Sequence, residues 1–72
     1  MTYTVIYEKG PTSWGGYVPD LPGVISVGDS QEEVEQLIQE AISFHLEGMR
    51  EERVPIPPPS SFAGLVEVDH AA

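Results

Sequence analysis

Residues 14–30 of this chain read WGGYVPDLPGVISVGDS, and this stretch decides the fold. Proline disfavours the helical region for the residue before it, so Val18 and Leu21 must be extended. Aspartate, proline and glycine are turn formers, each for its own backbone reason. We therefore predict that the chain reverses direction around residues 20–23, between two extended segments.

Three strands and one helix follow from the hydrophobic pattern. Residues 2–9 alternate between two faces, which predicts a half-buried strand. The chain returns over residues 14–18 as a second, antiparallel strand, and the β-branched residues within 24–27 predict a third. Ser30 and Glu33 have the S-x-x-E spacing of a capping box, so a helix begins at about residue 31. Its apolar side chains form one band that extends to about residue 52 and must pack on the sheet. The prediction is an α+β fold, a three-stranded meander with one long amphipathic helix.

The C-terminal part is predicted to be a spacer followed by a strand. Several prolines within residues 55–61 exclude a helix or a central strand and favour a stiff extended segment. Residues 62–69 alternate weakly, which predicts a further strand added to this sheet or to the sheet of a neighbouring subunit. We interpret residues 1–72 as a single domain with its core over residues 2–54.

Composition limits the function of the chain. The 72 residues carry a formal charge of −9, and only Lys9, Arg50 and Arg53 are basic. Nucleic-acid binders normally place Lys and Arg against phosphates, so we expect no direct nucleic-acid binding. An acidic domain of this kind is either simply soluble or suited to a basic partner. The sequence lacks a membrane-length apolar run and a basic leader, so we expect a cytoplasmic protein.

The short length favours self-association. A chain of this size buries only about 60% of its unfolded surface, and the absence of cysteine excludes disulfides and thiolate metal sites. We therefore expect a homo-oligomer, a dimer or a tetramer, and no cofactor. Trp14 and Tyr17 lie beside two glycines in the second strand. They are candidates for the oligomer interface or for the core.

An acidic ridge runs along the predicted helix. Glu33, Glu40, Glu47 and Glu51 lie within about 40° of one another on a helical wheel. Phe44 lies beside this ridge at the edge of the apolar band and is the side chain we most expect to be exposed. Carboxylates spaced by seven residues indicate either a solvated face or a docking surface for a basic partner.

No catalytic motif is apparent. Glu8, Asp20 and Asp29 could gather as oxygen ligands for Mg²⁺ in a nuclease site, although the two aspartates have competing turn and capping roles. His45 lies in the apolar band and is interpreted as a packed neutral side chain. We expect a protein that is not an enzyme.

Together, these motifs resemble the HicB-like antitoxins of bacterial toxin–antitoxin pairs. The resemblance covers residues 3 to about 59 and rests on the segments YTVIYEK, WGGYVPDLPG, VISVGDS, EAISFHLEGM and VPIPPP. It implies a self-associating β-β-β-α-β domain like a truncated RNase H fold. It also implies that the chain binds and blocks a small basic HicA-type toxin that cleaves RNA.

Two further expectations accompany the resemblance. Many family members carry a C-terminal DNA-binding segment, and we expect this chain to be a short form without one. We predict that the partner contacts are Asp20, Leu21 and Pro22 of the corner and Glu40, Phe44 and Glu47 of the helix. The alternatives are an orphan oligomeric interaction module without a toxin and, less favoured, a metal-dependent RNase H-like nuclease.

Overall fold

The computed structural model describes residues 1–70 and shows an α+β domain. Its elements are β1 (Ile6–Lys9), β2 (Trp14–Tyr17), β3 (Ile25–Gly28) and α1 (Gln31–Glu51). The strands form one antiparallel sheet in the order β1-β2-β3. The predicted meander and long helix are confirmed. Among the residues described, no helix is long and apolar enough to span a membrane.

Strand β1 begins later than the predicted residue 2. Its first residue, Ile6, pairs with Tyr17, the last residue of β2. If the ladder continued, the next residue to pair with β1 would be Val18. The N–H of Val18 instead donates to the carbonyl of Val24 within the corner. The ladder therefore stops where the corner takes over the backbone hydrogen bonds.

The predicted chain reversal consists of two consecutive tight turns. The N–H of Leu21 donates to the carbonyl of Val18, and the N–H of Val24 donates to the carbonyl of Leu21, each at 3.1 Å. A proline is the second residue of both turns, where its fixed φ suits the geometry. Gly23 has φ +90°, which a type II turn requires at its third position.

The core lies between the corner and the helix. Its buried side chains come in equal numbers from the two elements: Val18, Leu21, Val24, Val34, Ile38 and Leu46. Ile56 of the spacer packs against the same cluster, so the core extends beyond the sheet.

The helix lies directly on β2 at Gly16, which is buried. A β-carbon on Gly16 would lie 2.8 Å from Cγ1 of Val34 and 3.2 Å from Cδ1 of Tyr7. The pairing of β2 with β3 runs without a bulge through Gly15 and Gly16. The glycine therefore allows a close approach of helix and strand instead of forming a bulge.

The fourth strand predicted over residues 62–69 is not formed within the described chain. Residues 62–70 are neither strand nor helix, and they are exposed. A strand needs a neighbouring strand to pair with, and none is offered to this segment within the described residues. Just before it, hydrogen bonds to Asp20 hold Ser60 and Ser61 at the corner. The chain leaves the domain from that point. The relation to the RNase H fold stays a prediction.

Candidate partner-binding surface

The outward face of α1 is set by how the helix begins and how it packs. Ser30 caps the helix, because its hydroxyl oxygen accepts a hydrogen bond from the N–H of Glu33 at 3.1 Å. Val34 and Ile38 are buried against the sheet. With the inner face fixed in this way, the polar side of the helix must point to solvent.

Phe44 stands between two shallow depressions on that outward face. Its side chain is 80% exposed, as the sequence predicted. An open groove of about 480 Å³ is lined by Gln36, Gln39, Glu40, Ser43, Phe44 and Glu47. A smaller depression of about 160 Å³ is lined by Phe44, Glu47, Gly48 and Glu51. Three residues predicted as contacts, Glu40, Phe44 and Glu47, are therefore brought together.

The rest of the groove was missed by the sequence analysis. Gln36, Gln39 and Ser43 line it alongside the predicted residues. Helical spacing could have found them, because side chains three and four positions apart share a face. Glu33 departs from the predicted ridge, since its carboxylate lies against Gly28 of the sheet.

The electrostatics of this surface favour a cation. Glu47 and Glu51 are four residues apart on the helix, an arrangement of like charges that costs about 0.2–0.5 kcal/mol. The residues that line the two depressions include carboxylates and amides but no Lys or Arg. A positively charged partner would relieve the repulsion, and Phe44 would supply an apolar anchor.

Tyr7 of the sheet faces the helix, and the pKa of its phenol is shifted. Burial raises the pKa of the Tyr7 phenol, and the carboxylate of Glu35 raises it further. Tyr7 lies on the helix side of the sheet, next to Gly16. Its shift therefore reflects packing between sheet and helix.

The corner residues predicted as partner contacts behave differently from one another. Leu21 has 0% exposure and belongs to the core, so its prediction as a contact is wrong. The side chain of Leu21 lies between the two turns and enters the core. Pro22 is exposed and stays a predicted contact.

Asp20 holds the spacer. Its Oδ2 accepts from the N–H groups of Ser60 and Ser61, each at 2.9 Å, and its Oδ1 accepts from their hydroxyls at 3.0 and 2.7 Å. The bonds from Ser61, followed by those from Ser60, lower the pKa of Asp20 to about 2. Thr4 adds a bond from its hydroxyl to the carbonyl of Ser61 at 2.7 Å. The carboxylate is therefore already engaged within the chain.

Trp14 and Tyr17, predicted as interface aromatics, lie on opposite faces of the sheet. Trp14 is partly buried and packs against the core. The amine of Lys9 lies 6.0 Å from the centre of its ring. Tyr17 is exposed and points away from the helix, on the same face as its pairing partner Ile25.

The alternative metal site is not assembled in the described part of the chain. Within residues 1–70, no group of three His, Cys, Asp or Glu side chains is placed to hold a metal ion. Asp20, one of the three candidate ligands, is committed to the spacer. His45 is half-buried on the helix.

Comparison with known proteins finds a family model that matches nearly the whole chain. The profile described as "HicB_like antitoxin of bacterial toxin-antitoxin system" matches residues 3–71. Antitoxin HicB 2 of Photorhabdus laumondii is 34% identical over 61 residues, which cover 85% of this chain and 44% of that protein. An uncharacterized 14.9 kDa protein from the rep-hol intergenic region of Haemophilus phage HP1 is 42% identical over 57 residues, covering 79% of this chain and 43% of that protein.

A solved structure shares the fold. It is a HicA3 and HicB3 toxin-antitoxin complex, in which the similar chain superimposes with a TM-score of 0.67 at 28% identity. The match covers 82% of this chain and 70% of that one. The chain therefore shares the strand and helix arrangement of this neighbour, while it spans less than half the length of the two curated relatives.

Proposed function

This chain belongs to the HicB-like antitoxins of bacterial toxin–antitoxin systems, and from this membership we propose that it binds and neutralises a small basic toxin of the HicA type. The family suggests a non-enzymatic role. Support for the partner class comes from the structural neighbour, whose similar chain occurs in a complex of HicA3 with HicB3.

The observation that carries the proposal is the surface around Phe44. An aromatic side chain that is 80% exposed between two acid-lined depressions is costly to leave in water and is suited to a protein contact. Glu40 and Glu47 flank it and would meet Lys or Arg of the toxin. We place the centre of the interface at Phe44 and the charged rim at the two glutamates.

Charge complementarity explains how such a surface would neutralise the toxin. A protein that cleaves RNA needs a basic surface to hold the phosphates of its substrate. The antitoxin, with its net charge of −9, would occupy that surface in place of RNA. Complementary charge speeds association more than it tightens the complex, and the buried Phe44 would slow dissociation. The chain itself would act in the cytoplasm without touching nucleic acid.

The partner can be identified by tagging the chain and recovering bound proteins from its own host at low salt. We expect one small basic protein in stoichiometric amount, found by mass spectrometry. The purified partner should cleave RNA, and one equivalent of the chain should stop the cleavage. Recovery of untagged copies of the chain alone would instead support an orphan interaction module.

Two variants then test the surface against a matched control. Phe44→Ala should weaken the complex by about 30-fold or more, the loss expected for an anchor residue of an interface. Glu47→Lys should slow association by about tenfold at low salt, with a smaller effect at high salt. Glu8→Lys makes the same charge change on the sheet face opposite the helix and should have little effect. Equal effects of Glu8→Lys and Glu47→Lys would contradict the proposed face.

A further inference from the structure

The larger groove on the outward face of α1 has a layout that follows from helical spacing. Ser43 and Phe44 are consecutive residues, so their side chains lie about 100° apart around the helix axis. Glu40 and Glu47 fall between them in angle, one of them a turn earlier and the other a turn later. All four residues line the groove, and the short side chain of Ser43 leaves its middle open. A side chain that enters the groove therefore meets an aromatic ring on one side and a carboxylate at each end.

The groove has the chemistry of a cation site without a cation of its own. The residues that line it are Gln36, Gln39, Glu40, Ser43, Phe44 and Glu47, and none of them is Lys or Arg. Amide and hydroxyl oxygens accept hydrogen bonds, as carboxylates do. The face of an aromatic ring attracts a positive charge. Because Phe44 is 80% exposed, its ring is accessible to a cation from another protein.

The separation of the two carboxylates distinguishes between the basic side chains. Seven residues at a rise of 1.5 Å place the Cα atoms of Glu40 and Glu47 about 10.5 Å apart along the helix. A lysine ammonium is a point charge, so it bridges two carboxylates only where their oxygens approach to about 5.6 Å, the length of two charge-assisted bonds. An arginine guanidinium has donors on more than one edge and adds its own width between the oxygens. Its flat face also stacks on an aromatic ring. The groove therefore suits arginine better than lysine.

We propose that this groove is the binding site for one arginine side chain of the partner, with the guanidinium stacked on Phe44 and hydrogen-bonded to Glu40 and Glu47. The inference rests on the proposed function, because it names the chemical group by which a basic toxin is held. Aromatic residues and arginine are both enriched among the hot spots of interfaces, and hot spots of the two partners tend to pair. The arginine contact provides specificity, whereas the net charge of −9 provides long-range attraction.

The smaller depression on the other side of Phe44 does not select arginine in this way. Its two carboxylates, Glu47 and Glu51, are four residues apart, which is about 6 Å along the helix. Two carboxylates at this spacing can meet around a point charge. Glu51 does not line the larger groove, so its replacement is a matched control for the replacement of Glu47.

The first test uses the toxin that is recovered with the chain. Each of its arginines is replaced in turn by lysine, which keeps the charge. One replacement should weaken the complex by about tenfold or more. The same replacement should matter several-fold less against the Phe44→Leu chain, because leucine keeps an apolar side chain but has no ring. Circular dichroism should show that this variant is folded, since Phe44 is exposed. A tight, inhibitory complex that no arginine-to-lysine replacement weakens would overturn the inference and leave the proposed function standing.

The second test needs no toxin, so it examines the groove even if the proposed function fails. The peptides acetyl-Gly-Arg-Gly-amide and acetyl-Gly-Lys-Gly-amide carry the same charge, and each is titrated into the isotope-labelled full chain and followed by NMR. The arginine peptide should bind at least about threefold more tightly and shift the side-chain amide signals of Gln36 and Gln39. Phe44→Leu and Glu47→Gln should each reduce this preference, whereas Glu51→Gln should not. Equal binding of the two peptides, binding of neither, or equal effects of Glu47→Gln and Glu51→Gln would overturn the inference.

Discussion

Replacement of Gly16 by alanine should destabilise the domain, because helix α1 lies on the backbone of β2 at this position. The new β-carbon would lie 2.8 Å from Cγ1 of Val34, 3.2 Å from Cδ1 of Tyr7 and 3.4 Å from Cγ1 of Ile38. Val34 and Ile38 are buried, and the close packing of protein interiors leaves such side chains little room to move. The helix must therefore shift by several tenths of an ångström from the sheet.

The expected change in the free energy of unfolding of the Gly16→Ala variant is the balance of two effects. Overpacking of a closely packed site costs about 1–3 kcal/mol. Replacement of glycine by alanine also lowers the entropy of the unfolded chain, and this stabilises the folded domain by about 0.4–1 kcal/mol. We expect a net loss of about 1–2 kcal/mol, which lowers the melting temperature of a domain of this size by at least about 4 °C.

Urea unfolding followed by circular dichroism at fixed protein concentration measures this loss. Gly48→Ala is the control, because a β-carbon at Gly48 of the helix meets nothing within 4 Å. The same chemical change should there stabilise the domain by about 0.5–1 kcal/mol, since alanine favours the helix. Opposite signs for the two variants would isolate the steric effect.

A double variant identifies the clash itself. Val34→Ala removes the atom nearest to the new β-carbon, so Gly16→Ala should cost less in that background by at least about 0.5 kcal/mol. The reasoning would be refuted by a Gly16→Ala variant as stable as the wild type. Strict additivity of the two substitutions would also refute it.

Three further changes test the local structure. Arg53 has φ 57° just after the helix, so Arg53→Gly should stabilise the domain by about 1 kcal/mol in urea unfolding, while Arg53→Ala should not. Ser30→Ala removes the cap and should cost about 1 kcal/mol in the same assay. The pKa of Asp20 falls from 3.8 to about 2 on folding, so its stabilising effect is complete above pH 4 and is lost as the pH falls towards 2. A pH series of melting temperatures should show this fall for the wild type and a flatter profile for Asp20→Asn.

The elements that the sequence predicted well are those with local causes. The corner depends on prolines and Gly23, whose backbone restrictions act within four residues. The start of the helix depends on Ser30, and the observed span of Gln31–Glu51 agrees with the predicted end to within a residue or so. The exposure of Phe44 follows from its angular position on the helix, which requires no knowledge of the rest of the chain.

The features that the sequence analysis missed depend on contacts between residues that are far apart in the chain. Asp20 and Ser60 are forty positions apart, and no local pattern in either segment predicts their hydrogen bonds. The burial of Leu21 depends on how the two turns are tilted against the helix. Residues 62–69 have the composition of a strand, but a strand needs a neighbour, and the alternation pattern does not say which chain provides it.

The acidic side chains of this domain fall into two kinds. Glu40 and Glu47 lie beside the exposed Phe44 on the outward face of the helix, where a basic partner could reach them. Asp20 is engaged within the chain, since its bonds to Ser60 and Ser61 fix where residues 62–69 begin. Net charge alone therefore does not say which carboxylates a basic partner can use, because that depends on the contacts that each carboxylate already makes.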